Sequence, residues 1–182
     1  MPYTLYQFTT GLLAAALSAA VLSIAYHSWK NGITPMPSSA PVRGKVADEI
    51  NRIAGQGTLV EAGSGWGTLA QHLAKHCSGW RVVGIENSFI PLWVSRIAAK
   101  LDSRAGVTMI RADLYMYPYD SADVVVCYLY PGAMLRLSTI FRERLVPGTR
   151  VISICFALPG WEPERVIICG DLYRTKVYVY AV

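Results

Sequence analysis

The residues best placed to do chemistry stand in one short stretch, Val60-Glu61-Ala62-Gly63-Ser64-Gly65-Trp66-Gly67. Glycines at alternate positions let the backbone turn tightly and let its N–H groups approach a ligand at the start of a helix. A dinucleotide site uses GxGxxG and faces a pyrophosphate. Here the spacing is GxGxG (Gly63, Gly65, Gly67), and Glu61 sets a carboxylate directly before it. That carboxylate would repel a diphosphate and attract the ammonium and sulfonium of S-adenosylmethionine. Electrostatics therefore favour the sulfonium cofactor, with Ser64 and Trp66 in the loop that meets it.

Two further acids extend the pattern. Glu86 closes the run Arg81-Val82-Val83-Gly84-Ile85-Glu86, nineteen residues after Gly67. A doubly wound fold places a carboxylate there to accept from both ribose hydroxyls. Such an acid also fits NAD, so it supports the fold more than the choice of cofactor. Asp113, in Arg111-Ala112-Asp113, is placed to accept from an adenine amino group. Asn87 and Leu114 follow these two acids and complete the expected cofactor set. One acid at a strand end is often only a solvated terminus, but three at successive strand ends beside a glycine loop form a site.

The elements that must hold these residues alternate. Short apolar or β-branched runs predict strands at 58–62, 81–86, 107–112, 122–129 and 150–156. Helical spacing predicts helices at 66–76, 91–101 and 133–145, and an earlier one carries Val42, Val46, Ile50 and Ile53. Strands alternating with helices make a parallel, doubly wound, Rossmann-like α/β sheet with right-handed crossovers. The run Ala122–Leu129 is continuously apolar, as a strand covered on both faces requires. Only eight residues, 157–164, separate Phe156 from Arg165, and they include two prolines and a glycine. No crossover helix fits there, so 165–169 and 173–181, joined through Gly170-Asp171-Leu172, predict a closing β-hairpin whose second strand is an edge or antiparallel strand.

Ahead of this domain stands an uncharged segment. No Lys, Arg, Asp or Glu precedes Lys30, and the run Phe8–Tyr26 is nineteen residues long. At about 1.5 Å per residue such a helix roughly crosses a ~30 Å hydrocarbon core. A signal peptide would begin with a positive region, and a buried amphipathic helix would show a polar face. A transmembrane-like anchor fits better, with Tyr3 and Tyr6 at one interface and Tyr26 and Trp29 at the other. Lys30, Arg43 and Lys45 follow it, so the positive-inside rule places the domain in the cytoplasm. The chain thus divides into an anchor helix (1–30), a Pro/Ser-rich linker (31–44) and the Rossmann-like domain (45–182).

The 182 residues are 53% hydrophobic and carry a formal net charge of +5. Lys and Arg are scattered and no basic run is interleaved with aromatics, so a nucleic-acid partner is not expected. Cys77, Cys127, Cys155 and Cys169 form no CxxC or Cys/His cluster, which argues against a zinc site. His27, His72 and His76 stand away from the inferred strand ends, leaving no evident catalytic base.

The glycine loop, the Gly84-Ile85-Glu86 strand end and the Arg111-Ala112-Asp113 step resemble those of class I (seven-stranded) S-adenosylmethionine-dependent methyltransferases. More narrowly, the chain resembles the small membrane-anchored protein-lysine methyltransferases that modify the ATP synthase c-ring protein and the adenine nucleotide translocase. The matching features are the apolar N-terminal helix, the segments 33–46 and 61–67, the block Asp123–Met134 around Tyr128-Leu129-Tyr130-Pro131, and residues 145–163. Ser38-Ser39 stands where those relatives carry a threonine pair.

The resemblance implies methylation of a lysine in a membrane-associated protein. A lysine of pKa near 10.4 is mostly protonated at neutral pH, so the site must orient it and favour its neutral form. The end of the fourth strand, beside the switch point, is the place for this. There Tyr130 and nearby carbonyls are placed to hold an amine, Tyr128 and Tyr130 offer cation–π faces, and Pro131 shapes the turn. The absence of an Asp/Asn-Pro-Pro-Tyr motif disfavours methylation of nucleic-acid bases. Two alternatives stay open: a lipid-headgroup or small-amine methyltransferase, and a non-catalytic cofactor-binding module.

Overall fold

The computed structural model describes residues 2–182 except Ile33, Pro35, Ala54 and residues 103–105. The side chains of Pro2, Tyr3, Lys30 and Asn31 also lie outside the described set, and with them the expected roles of Tyr3 and Lys30. A long apolar helix, α1 (Pro2–Asn31), comes first, followed by α2 (Ala40–Arg52), β1 (Gly57–Ala62) and α3 (Thr68–His76). Next are β2 (Trp80–Glu86), α4 (Phe89–Leu101), β3 (Val107–Arg111), a 3₁₀ turn at Tyr119–Ser121, β4 (Val124–Cys127) and α5 (Pro131–Arg144). The chain closes with β5 (Arg150–Ile154), β6 (Arg165–Ile168) and β7 (Lys176–Ala181).

The seven strands form one sheet in the order β3-β2-β1-β4-β5-β7-β6. The pairs β1/β2, β2/β3, β1/β4 and β4/β5 are parallel. β7 lies between β5 and β6 and runs antiparallel to both. The hairpin therefore folds inward: its second strand is interior and its first, β6, takes the edge. Burial accounts for this, because Val177, Val179 and Tyr180 of β7 are in the core while β6 is largely exposed.

Side chains of successive strand residues serve opposite faces. Leu59, Val82, Val124, Val126 and Ile152 pack with Val46, Ile50, Leu69, Leu73 and Leu92 from α2, α3 and α4. Val60, Ile85, Val125 and Val151 pack with Met134, Leu137 and Phe141 of α5 and with Tyr119. Between β3 and β4 the crossover contains only the 3₁₀ turn. Tyr119 fills that space; it is fully buried, meets Phe141 edge-on, and donates its hydroxyl to Leu114 O at 2.8 Å.

Several element ends differ from those read in the sequence, and prolines explain two. α2 begins at Ala40, inside the segment expected to be linker, and α5 begins at Pro131 rather than Ala133. A proline in the first helical turn lacks an N–H that has no partner there anyway, so Pro41 and Pro131 start these helices. α3 starts at Thr68 because Gly67 before it is left-handed, with φ 75°. β7 starts at Lys176 because the hairpin turn extends further. Arg174 has φ 49°, and the Asp171 carboxylate accepts from Thr175 N at 2.7 Å.

The connection from β5 to β6 has no helix and is held by side chains. Tyr180 is fully buried, accepts from Leu158 N at 2.9 Å, and meets the Trp161 ring edge-on. Replacing Tyr180 with Phe keeps the ring and leaves a buried N–H unpaired, which costs about 1–3 kcal/mol. Urea unfolding of Tyr180→Phe against the parent is expected to show that loss without a changed slope. An unchanged midpoint would mean that this connection is not held by the hydroxyl.

Candidate active site

The strand order reverses between β1 and β4, so their C-terminal ends open a crevice. The loop after β1 is fastened to β2, since Gly63 N and Ser64 N both donate to Ile85 O, at 3.0 and 2.9 Å. Gly63 has φ 75°, and a Cβ there would meet Leu129 Cδ2 at 2.7 Å. At Gly67, also φ 75°, a Cβ would meet Ser95 Cβ at 2.8 Å and collide with Met109. These two positions exclude any side chain, on conformation and on space.

Glu86 is buried, and both its oxygens are held: Gly65 N donates to Oε2 at 2.8 Å and Ser88 N to Oε1 at 2.7 Å. Each carboxylate oxygen has a second lone-pair site, so the pair remains able to accept hydroxyl groups. Glu61, 4% exposed, receives the backbone N–H of Ala70 in the first turn of α3. Burial, reinforced by the neighbouring Glu86 charge, pushes the Glu61 carboxyl up to about 8. Asp113 is exposed and accepts from Tyr115 N at 2.9 Å through Oδ1.

A cavity of about 680 Å³ runs along these groups. Glu61, Gly63, Ser64, Gly65, Trp66, Glu86, Asn87, Asp113, Leu114, Tyr128 and Tyr130 all line it. Eleven of the thirteen residues expected from the sequence are thus together at one cavity. Gly67 lies behind the loop as the residue before α3, and Pro131 serves as the start of α5 while its neighbour Gly132 reaches the wall.

The cavity has walls that the sequence did not reveal. Thr34, Met36, Pro37 and Ser38, from the segment between α1 and α2, line it, as do Tyr115, Arg136, Cys155 and Phe156. Beside β4's end Tyr115 and Tyr130 share a side-chain hydrogen bond, and the Arg136 guanidinium lies 3.9 Å from the Tyr115 ring centroid. Burial and the adjoining Tyr130 push the Tyr115 hydroxyl up to about 12, and burial also raises Tyr128. Both phenols stay neutral at physiological pH and are able to donate and accept hydrogen bonds. Arg136 carried no sequence signal, since it stands among the other charges of α5.

Three buried polar atoms, Glu61 Oε2, Ser64 Oγ and Ser38 Oγ, have no partner among the described residues, and all three residues line this cavity. Each such atom left unpaired costs about 1–3 kcal/mol. Their convergence suits a polar, cationic ligand of adenosine size, and 680 Å³ falls in the range of small-molecule sites. S-Adenosylmethionine fits this donor and acceptor set. Its ammonium complements Glu61, and its ribose hydroxyls complement Glu86.

Comparison with known proteins gives the same assignment. The family model described as the ANTKMT methyltransferase domain matches residues 61–165. The human lysine N-methyltransferase named for the C-type subunit of ATP synthase is 31% identical over 112 residues, covering 61% of this chain and 47% of its own length. The chain therefore spans about half the length of that relative. The mouse adenine nucleotide translocase lysine N-methyltransferase is 28% identical over 186 residues, covering 94% of this chain and 79% of its own. Among solved structures, an RNA methyltransferase from Salinibacter ruber in complex with S-adenosyl-L-homocysteine superposes with a TM-score of 0.71 at 31% identity. That match covers 81% of this chain and 94% of the other.

The raised Glu61 carboxyl has a consequence for stability. Its folded pKa, about 8, exceeds the ordinary 4.5, so the folded state holds a proton that the unfolded state releases between those values. Ligand-free protein is therefore expected to be most stable, from this group, below pH 4.5 and to lose that stability as pH rises to about 8. The slope is at most about 1.4 kcal/mol per pH unit. Glu61→Gln removes it, so the stability difference between the two proteins should change steadily across that window. Parallel denaturation profiles would contradict the assignment.

Proposed function

We propose that this chain, which belongs to the ANTKMT methyltransferase family, transfers a methyl group from S-adenosylmethionine to a lysine side chain of a membrane protein. The observation that carries the acceptor side is the course of the chain after α1. Gly32 follows the apolar helix, and a Cβ there would lie 3.0 Å from the Tyr130 ring. The next described residues, Thr34 and Met36 to Ser38, contribute to the cavity wall. The acceptor end therefore stands where α1 ends, and a lysine close to a bilayer surface would reach it.

When bound, the cofactor supplies a methyl group activated by a sulfonium. The residues of the chain do the rest. Glu61, ionised by the incoming ammonium, holds the amino-acid end, while Gly63 to Trp66 wrap it. Glu86 takes the ribose hydroxyls, and Asp113 with Asn87 and Leu114 borders the adenine. Tyr128 and Tyr130 accept from the lysine amine and aim its lone pair at the methyl carbon. The Arg136 guanidinium, held over Tyr115, disfavours a second positive charge nearby and so favours the neutral amine. As the nitrogen–carbon bond forms, the carbon–sulfur pair stays on sulfur and the amine's excess proton leaves to water.

The apolar run of α1 supplies the anchor. The stretch Thr4–Trp29, 26 residues, is long and apolar enough to cross a membrane, and none of its most apolar stretch is fully buried. Arg43 and Lys45 follow it, and by the positive-inside rule they support a domain on the cytoplasmic face. Names of the relatives support the substrate class: one is named for an ATP synthase component and another for an adenine nucleotide translocase.

Two measurements test this. Titration calorimetry of the full chain in detergent with S-adenosylhomocysteine should show binding, weakened at least about tenfold by Glu86→Ala, since two charge-assisted hydrogen bonds are lost. Incubation with methyl-labelled cofactor and membranes should place the label in methyl-lysine after protein hydrolysis. Label confined to lipid or to RNA would overturn the lysine assignment.

A further inference from the structure

The outer face of α4 bears apolar side chains that are largely exposed among the described residues. Phe89, Trp93, Ile97 and Leu101, four residues apart, form one stripe on the helix surface. They are 54%, 58%, 39% and 83% exposed, although the opposite face buries Pro91, Leu92 and Ser95 in the domain. α4 contains no Asp or Glu, and its basic residues, Arg96 and Lys100, are both exposed. A contiguous apolar stripe of this kind on a surface marks an interaction site.

What meets it follows from α1, which packs against α4. The half-buried residues among those described in α1 are Ala20, Ser23, Ile24, His27 and Ser28, all on one face in its C-terminal half. Leu5, Phe8, Leu12, Leu13 and Leu17 remain exposed, as does Trp29 at the far end. The stripe thus lies on a helix that packs against α1, whose own apolar side chains are exposed along most of its length. Tryptophan favours headgroup depth, phenylalanine and leucine belong to the apolar face of interfacial helices, and flanking lysine and arginine favour anionic lipid.

We propose that the Phe89–Trp93–Ile97–Leu101 stripe is a second membrane contact, an interfacial face that lies in the headgroup region of an anionic bilayer beside α1. This rests on α1 being a membrane span. It fixes the domain's tilt, which a single anchor leaves free. Ser88 precedes α4, and Asn87 and Ser88 line the cavity, so seating α4 on the bilayer holds the cofactor cavity against the membrane surface.

The test uses the full chain in vesicles of phosphatidylcholine and phosphatidylglycerol. An environment-sensitive fluorescent amino acid replaces either Trp93 or Leu13, and the lipids carry bromine near the headgroup or deep in the chain. Position 93 should be quenched chiefly by shallow bromine and position 13 by deep bromine. Ile97→Asp with Leu101→Asp should lower quenching at 93 at least about twofold and leave position 13 unchanged. If position 13 is quenched while 93 keeps its aqueous spectrum, the stripe is not a membrane face and only the anchor stands. If neither is quenched, α1 does not span and both fail. A label at 93 that is shielded from bromine and becomes aqueous as protein is diluted into excess lipid would show a second copy of the chain on the stripe, overturning the proposal.

Discussion

The Glu86 carboxylate accepts the Gly65 N–H on one oxygen and the Ser88 N–H on the other, and so fastens two loops from successive crossovers. One is the glycine turn after β1; the other is the start of α4. With Gly63 and Ser64 bonded to Ile85 O, the turn has little freedom left. It can close only if Gly63 and Gly67 carry no side chain, because Leu129 and Ser95 occupy the space. A single buried acid thereby fastens the glycine turn to the start of α4 and keeps free lone pairs on the cavity that it lines.

Glu61 works in the opposite sense. Glu86 is satisfied by backbone, whereas Glu61 has one oxygen buried without a partner and its carboxyl pushed up by burial. In the role proposed for it, a buried acid of raised pKa that ionises beside a cation would couple cofactor binding to proton release.

Much of this was legible in the sequence because it is local. The loop, the acids at the ends of β1 and β2, and Asp113 just beyond β3 are each marked by a period change and a residue type within a few positions. The apolar run before Tyr128 located β4 in the same way. What escaped was brought in from a distance. The segment holding Thr34 and Met36 to Ser38 reads as a linker because its prolines break regular structure, yet tertiary packing lays it along the cavity. Arg136 resembles any exposed helical arginine until Tyr115 is placed beneath it. The inward fold of β7 depended on which strand of the hairpin had more apolar surface to bury, and alternation alone left that undecided. Pro41 fell within the expected linker and Pro131 in the expected turn, whereas each stands in the first turn of a helix.

In the proposed arrangement a cofactor end defined by carboxylates meets an acceptor end defined by tyrosines and by the exit from α1. The most direct test of that arrangement is a crystal structure of the full chain with S-adenosylhomocysteine. The expected result is density along Glu61, Glu86 and Asp113, with the ammonium at Glu61 and the thioether turned toward Tyr130. Ligand bound elsewhere, or lying in this cavity with its sulfur turned away from Tyr130, would contradict it.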